Sequence, residues 1–288
     1  MKPRLQLPDV TVCAADSVTP ALAARALEIC IDRCDFGDAA LFSDVPVSGR
    51  FRHVAIERMK SLDQYSLFCL RGMPSRVETE FALVIQWDGY VVNPDAWASS
   101  FRKYDYIGGT IYPERGPPVV GNGGFSLRSR KLLDALPKLA FVPGAGEDWI
   151  ISHVFKRSLE ADYGIRFAPS ALAERFSYEI RPPTRPTFGF HGMPNLWRHE
   201  SDAEVLRIVA GGPQSWVTSK LYFLLIVRCL DNDRTLLAGS LYTMTRREQS
   251  RADIERLMAL WMPADRAVAV VAALEETYAN HQGQSPGA

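Results

Sequence analysis

Five polar features stand where a small-molecule site could form. "VTVCAAD" ends in Asp16, and "FALVIQWDG" brings Asp88 to the tip of the most continuous apolar run in the chain. "VVGNGGFSL" places Gly121, Asn122, Gly123 and Gly124 just ahead of Phe125 and Ser126. "GED" sets Glu147 and Asp148 at a helix start, and "FGFHG" holds a lone His191. Carboxylates and an imidazole can move protons or hold a cation. Three glycines in four positions let something approach the backbone where a Cβ would clash. Each feature also has a structural reading. Asp16 can cap a helix, Asp88 before Gly89 can form a turn, and Glu147 and Asp148 can complement a helix dipole. It is their order along the chain, not any one of them, that points to a site.

The elements that must carry them alternate. Strands are expected at Val10–Asp16, Ala39–Asp44 and His53–Glu57, and the strongest at Phe81–Gly89, whose unbroken apolar run suits a strand covered on both faces. Helices are expected over "SVTPALAARALEICIDRC", where Pro20 lies near the start, over "SLDQYSLFCLRGM" (Ser61–Met73) and over Gly146–Gly164. This alternation argues an α/β sheet, largely parallel at its beginning. In such sheets ligands bind beyond the carboxyl ends of the strands, which is where Asp16 and Asp88 fall. From Ser201 onward the pattern is helical, and "NHQGQSPGA" reads as a disordered tail.

The bounds agree with a globular enzyme-sized chain. It has 288 residues, with 33 basic residues against 33 acidic ones, so it lacks the basic excess of a nucleic-acid-binding protein. No apolar run is long enough to span a bilayer, and the first residues lack a signal-peptide core. The five cysteines show no CxxC pair or zinc spacing, which suits free thiols in a reducing cytoplasm. Cys30 and Cys34 are expected four apart on one helix.

A strand ending in an Asp-containing turn, then "GNGGFSL", then "GED" opening a helix, then a downstream His resembles the GT-A class of nucleotide-sugar glycosyltransferases. The inverting β-1,4-galactosyltransferases are especially similar. Closer still, "FALVIQWDGYVVNPDAW", "YDYIGG", "VGNGGFSLRSR", "ED", "FSYE" and "TFGFHG" look like an uncharacterised domain family that is itself galactosyltransferase-like. The resemblance covers about residues 9 to 195. It implies a GT-A-like (Rossmann-like) mixed sheet flanked by helices over residues 1–200, with residues 201–288 as a helical C-terminal extension.

The same resemblance implies roles. Asp88 matches the last acid of an Asp-x-Asp metal motif and His191 a downstream metal ligand, holding Mn²⁺ or Mg²⁺, with Mn²⁺ better suited to an imidazole. Gln86 stands where the first acid would be. Asp148 matches the catalytic base, with Glu147 binding acceptor or bracing the loop. Asp16, Tyr65, Ser66, Gln86, Trp87, Asp88, Gly121, Asn122, Gly123 and Gly124 would meet a nucleotide-sugar donor of the UDP type, its sugar left open. The glycines would pass under the donor sugar and the acceptor, a hydroxyl compound whose identity the sequence leaves open.

Three functions compete. The first is a metal-dependent inverting glycosyltransferase. The second is a nucleotide-sugar-binding protein of the same fold with impaired catalysis, which Gln86 favours. The third is an unrelated Rossmann-like enzyme, disfavoured because "AADSVTP" stands where a GxGxxG would follow the first strand. The C-terminal helices must bury apolar faces. They can do so on the catalytic domain, in a homodimer through those helices, or at another surface, with Trp216 and Trp261 as candidate anchors.

Overall fold

In the computed structural model, residues 3–112 and 118–282 are described. Strand β1 (Leu5–Ala15) has Leu7 and the run Val10–Ala14 buried without alternation. A strand covered on both faces belongs inside a sheet. β1 pairs in parallel with β2 (Cys34–Ser43) on one side and β4 (Phe81–Ile85) on the other, and β3 (Arg52–Ala55) extends the sheet beyond β2. The sheet then reverses. β8 (Phe125–Ser129) runs antiparallel to both β4 and β5 (Tyr106–Gly108), giving the order β3-β2-β1-β4-β8-β5. β6 (Thr110–Ile111) and β7 (Val119–Val120) form a separate two-stranded ribbon.

The register places the site. Ile85, the last residue of β4, pairs with Phe125, the first of β8. The turn after β4 and the glycine loop before β8 therefore meet at one edge, which is also where β1, β2 and β3 end. The α/β class expected from the sequence, a mixed sheet flanked by helices and followed by a helical extension, is the architecture observed.

Helix α1 (Pro20–Arg33) starts on its proline and buries Leu22, Ala23, Ala26, Leu27 and Cys30. Helix α2 (Leu62–Leu67) is capped by Ser61, whose hydroxyl accepts from Gln64 N. It passes into a widened turn, Phe68–Gly72, where Met73 N donates to Phe68 O. Ser129 caps α3 (Arg130–Ala135). The expected helix over Gly146–Gly164 is divided. α4 (Glu147–Trp149) runs into a second widened turn, Ile150–Val154, and α5 (Lys156–Tyr163) ends on Gly164 at φ 61°. α6 (Ser170–Phe176) follows. Phe42, Leu70, Met73, Val84, Leu132 and Ile151 form part of one buried cluster. The rings of Phe101, Phe125, Phe176 and Phe188 form another.

Two expectations about local structure are corrected. Cys34 opens β2, so it does not share a helix with Cys30. The strongest strand stops at Ile85, because Gln86 to Gly89 form a turn in which Gly89 N donates to Gln86 O. All five cysteines are buried and none is in a disulfide.

The chain divides into two compact units, Met1–Gly192 and Met193–Ala288. The second therefore begins ahead of the Ser201 expected from the sequence. It holds α7 (Leu196–His199), α8 (Asp202–Ala210), α9 (Lys220–Leu230), α10 (Thr235–Arg246), α11 (Arg251–Ala259) and α12 (Ala264–Gln282). Ser201, Ser219 and Ser250 cap three of these helices. Tyr222 donates its hydroxyl hydrogen bond to Leu241 O at 2.8 Å, tying α9 to α10. Helix α12 runs through Asn280 to Gln282, where the sequence reads as tail. The rest of that tail, 283–288, lies outside the described residues. Among the described residues no helix is long and apolar enough to cross a membrane.

Leu83 on β4 is fully buried, whereas Leu62 at the start of α2 is 54% exposed. Leu83→Ala is expected to cost about 2–5 kcal/mol, read as a lower urea midpoint. Leu62→Ala should stay within about 0.5 kcal/mol of the parent.

Candidate active site

The turn after β4 is pinned on two sides. Gln86 N donates to Gly124 O at 2.9 Å, and Gly192 N donates to Asp88 O at 3.0 Å. His191 N donates to Tyr178 O at 2.9 Å. These bonds bring the His191 ring over the turn. Its Nε2 lies 3.0 Å from Gln86 Oε1 and 3.3 Å from Asp88 Oδ1. Its Nδ1 lies 3.0 Å from Asn122 Nδ2 and 3.3 Å from Glu179 Oε1. Burial works against a charged imidazole here, but Asp88 and Glu179 outweigh it and hold the ring's pKa well above the ordinary value. Gln86 Nε2 donates to Tyr65 Oη at 2.8 Å, and Trp87 is half-buried in the same turn.

Among the described residues no group of three or more His, Cys, Asp or Glu is arranged to hold a metal ion. The donor set that could hold one is mixed: Asp88 Oδ1, His191 Nε2 and the amide oxygen Gln86 Oε1. Two atoms that share an ion about 2.1 Å from each, at right angles, stand about 3 Å apart. The spacings of 3.0 and 3.3 Å around Nε2 match that figure. Glu179, on the opposite ring nitrogen, stands where an outer carboxylate would orient a ligating histidine. Asp88, His191 and Gln86 are the residues that would hold a divalent cation, with Gln86 as a neutral donor.

The glycine loop has a different explanation from the one expected. None of Gly121, Gly123 and Gly124 has a positive φ. A Cβ at Gly121 would stand 2.2 Å from Ser152 Oγ. At Gly123 it would stand 2.5 Å from Glu147 Oε1 and 2.8 Å from Asp148 Cβ, and at Gly124 it would stand 2.1 Å from His191 Nε2. The space a side chain would fill is thus occupied by this chain's own site residues, not left open beneath a sugar. Asn122 between them is buried and reaches His191.

On the other side of the loop, Gly123 N donates to Asp148 Oδ2 at 3.1 Å, and Trp149 N donates to Asp148 Oδ1 at 2.7 Å. Burial, and then the neighbouring Glu147 carboxylate, raise Asp148 to about 6. Glu147 is almost fully buried, and its Oε1 accepts from Arg128 Nη2 at 2.5 Å. Arg128 is itself wholly buried in β8; burial lowers its pKa, but Glu147 outweighs that and raises it further above the usual range. Glu147 therefore braces the loop, and its position on Arg128 does not suit it to grip an acceptor.

The remaining sequence candidates are placed less simply. Asp16 Oδ1 accepts from Val18 N at 2.6 Å and Thr19 N at 2.7 Å, so this carboxylate organises the entry to α1. Burial raises its pKa, and Asp88 adds to the rise, which puts it within electrostatic reach of the site. Ser66 is buried and donates to Ala145 O at 3.1 Å, so its hydroxyl serves the fold instead of a nucleotide. Tyr65 joins the site through Gln86. Sequence reasoning missed Arg128, Ser152 and Glu179. Glu179 stood in the quoted "FSYE", whereas a basic residue inside a strand carries no signal that it is buried.

A family model described as a protein of unknown function (DUF5672) matches residues 49–191. That span includes Tyr65, the turn after β4, the glycine loop, Glu147, Asp148 and His191, but not Asp16. No curated protein matches the chain. One similar solved structure is a glycosyltransferase involved in the glycosylation of the major capsid of PBCV-1. It has 12% identity over 63% of this chain and 91% of that one, at a TM-score of 0.42. Another is S. aureus TarS 1-349 in complex with UDP-GlcNAc, with 12% identity over 96% and 93% and a TM-score of 0.36. A third, A197 from STIV, has 14% identity over 56% and 82% and a TM-score of 0.31.

Removing one member of a buried ion pair leaves the other charge uncompensated. Arg128→Met is expected to cost about 3–5 kcal/mol, and adding Glu147→Leu in the same chain should recover most of that. A double-mutant cycle in urea measures both.

Proposed function

We propose that this chain is a metal-dependent inverting glycosyltransferase, moving a sugar from a nucleotide-sugar donor of the UDP type to a hydroxyl acceptor. One observation carries the reading. A carboxylate suited to act as a base and a donor set suited to a divalent cation lie on either side of one short glycine loop, at the carboxyl edge of a mixed sheet. Gly123 N meets Asp148, and the bare Cα of Gly124 faces His191. The GT-A-like reading of the fold is supported by the sheet itself, parallel through β3-β2-β1-β4 and reversed at β8.

Asp88, His191 and Gln86 would hold the cation, and Mn²⁺ suits an imidazole better than Mg²⁺ does. When bound, it neutralises charge developing on the leaving diphosphate. Asp148, ionised at neutral pH because its pKa of about 6 lies below it, takes the proton of the acceptor hydroxyl. The acceptor oxygen bonds to the anomeric carbon as the bond from that carbon to the diphosphate oxygen breaks. A single displacement inverts the anomeric centre. Arg128 holds Glu147, and Glu147 fixes the turn that presents Asp148. Five cysteines without disulfides support a cytoplasmic setting.

The second reading, donor binding without turnover, is favoured by Gln86 alone. The two are separated by incubating the full chain with a panel of nucleotide sugars and Mn²⁺. Slow donor hydrolysis supports the first reading, and its absence despite UDP binding supports the second.

Asp148→Asn is expected to lower turnover on the order of 10²–10⁴-fold with UDP affinity unchanged. In the parent, kcat/KM should fall as pH drops through about 6, because protonation removes the base. That acid limb should be missing from the residual activity of the variant. Retention of the same limb would remove Asp148 from the role.

Asp88→Ala and His191→Ala should each abolish the Mn²⁺-dependent part of UDP binding. Calorimetry with and without EDTA reads it. UDP binding that chelation leaves unchanged in the parent would overturn the metal's place in the reading.

A further inference from the structure

A cavity of about 460 Å³ lies between the segment that follows β3, residues 56–59, and one side of α2 with its widened turn. Its size falls in the range of small-molecule sites, about 300–1,000 Å³. None of the residues assigned above to the cation, the base or the glycine loop lines it. Gln64, Leu67, Phe68 and Arg71 recur at near-helical spacing and so share the side of the helix that faces it. Tyr65 and Ser66 lie on the other side, where they meet Gln86 Nε2 and Ala145 O.

The floor is apolar. Ile56 and Phe68 pack against the main buried cluster, yet both are only half-buried. Leu67 beside them is 37% exposed. Met59 closes the floor at 8% exposure. A Cβ at Gly72 would stand 2.5 Å from Phe68 Cδ2, so the glycine lets the Phe68 ring lie against the turn. Core side chains are thus left facing a hollow, and water in that hollow gains few hydrogen bonds from them. Widened helical turns are themselves frequent at functional sites.

The rim is cationic. Arg58, Arg71 and Arg76 line the cavity against the single carboxylate of Glu57. Arg76 is committed to the wall: its Nη1 donates to Gly72 O at 2.5 Å, and its guanidinium lies 5.8 Å from the centre of the Phe68 ring. Arg58 stands 3.8 Å from Asp44 Oδ2, a long contact that leaves most of its five donors unused. The exposed Arg71 guanidinium has no ion-pair or hydrogen-bond partner among the described residues. Guanidinium forks match the oxygens of a carboxylate or a phosphate.

We propose that this cavity binds a single-chain amphiphilic anion, a carboxylate or phosphate head on a hydrocarbon tail. The head meets Arg58 and Arg71, and the tail lies along Ile56, Met59, Leu67 and Phe68. Neither half suffices alone. Exposed guanidinium groups hold a bare anion weakly in water, and a tail without a charge leaves the rim unused. The cavity is concave and of single-ligand size, so it takes one molecule and not the face of a bilayer. The site stands on the cavity alone and does not depend on the transferase reading.

The test uses the full chain and calorimetry with decanoate, decyl phosphate, decanol and inorganic phosphate, the amphiphiles kept below micelle-forming concentrations. At least one of the two tailed anions is expected to bind, with decanol and inorganic phosphate each weaker by about tenfold or more, the scale of one charge-assisted hydrogen bond. Arg71→Glu should weaken the anion by about tenfold and leave decanol unchanged. Leu67→Gln should weaken the anion and decanol alike. Arg157→Glu, at an exposed arginine that does not line the cavity, should change neither. All three positions are exposed, so the variants are expected to fold as the parent does. Failure of both anions to bind, equal binding of decanol or of inorganic phosphate, or unchanged affinity in Arg71→Glu would overturn the proposal. So would an equal loss in Arg71→Glu and Arg157→Glu, since binding would then follow overall charge. Sedimentation of the chain with phosphatidylglycerol vesicles while neither monomeric anion binds would overturn it as well, and would assign the surface to a membrane.

Discussion

The wholly buried contact between Arg128 and Glu147 organises the site. Arg128 sits on β8, between β4 and the edge strand β5, wholly buried where a guanidinium is costly to desolvate. It reaches Glu147 Oε1 at 2.5 Å, Ser126 Oγ at 3.0 Å and Gly123 O at 3.4 Å, and its guanidinium lies 5.8 Å from the centre of the Tyr106 ring. One side chain thus ties together a strand, the loop ahead of it and the first turn of α4. Glu147, held there, adds its negative field to the burial of Asp148. The pair is a poor device for stability, but it fixes a charged turn against a sheet edge where water would otherwise let it wander.

The glycine loop follows from the same constraint. A carboxylate pair and an imidazole must both come within contact of one short stretch of backbone. Each approach fills the space where a side chain would begin, so Gly123 yields to the acids and Gly124 to His191. Gly121 yields to Ser152, whose hydroxyl in turn donates to Asp148 O at 2.6 Å. The loop is a thin partition, with the acidic pair Glu147 and Asp148 on one side and the His191 imidazole on the other.

Much of the sheet could be read from the sequence because apolar runs without alternation occur only where both faces are covered, as in β1 and β4. The reversal at β8 could not, since periodicity carries no direction and "FSLRS" hides its arginine among residues that could as well face water. Asp88, Asp148 and His191 were legible through their company along the chain, and the fold does bring Asp88 and His191 together. Asp16 and Ser66 show the opposite limit. The same side chains that could meet a ligand make equally good hydrogen bonds to nearby backbone, and only geometry distinguishes the two. The glycines were correctly singled out as places of close approach, but what approaches them comes from dozens of residues away, at Glu147, Ser152 and His191.

Both helices that deliver residues to this edge, α2 and α4, lose their regular winding just after doing so. Phe68 O accepts from Met73 N, and Ile150 O from Phe155 N, each five residues on. Such widened turns accommodate one residue more than a regular helix, and one residue is worth about 100° of rotation. The orientation of Glu147 and Asp148 relative to α5 is therefore a matter of residue count as much as of residue type. Across related chains, insertion or deletion of a single residue in Ile150–Val154 would swing the acidic turn away while keeping the apolar face of α5 in place. The acidic turn is therefore sensitive to a one-codon change that leaves every one of its side chains present.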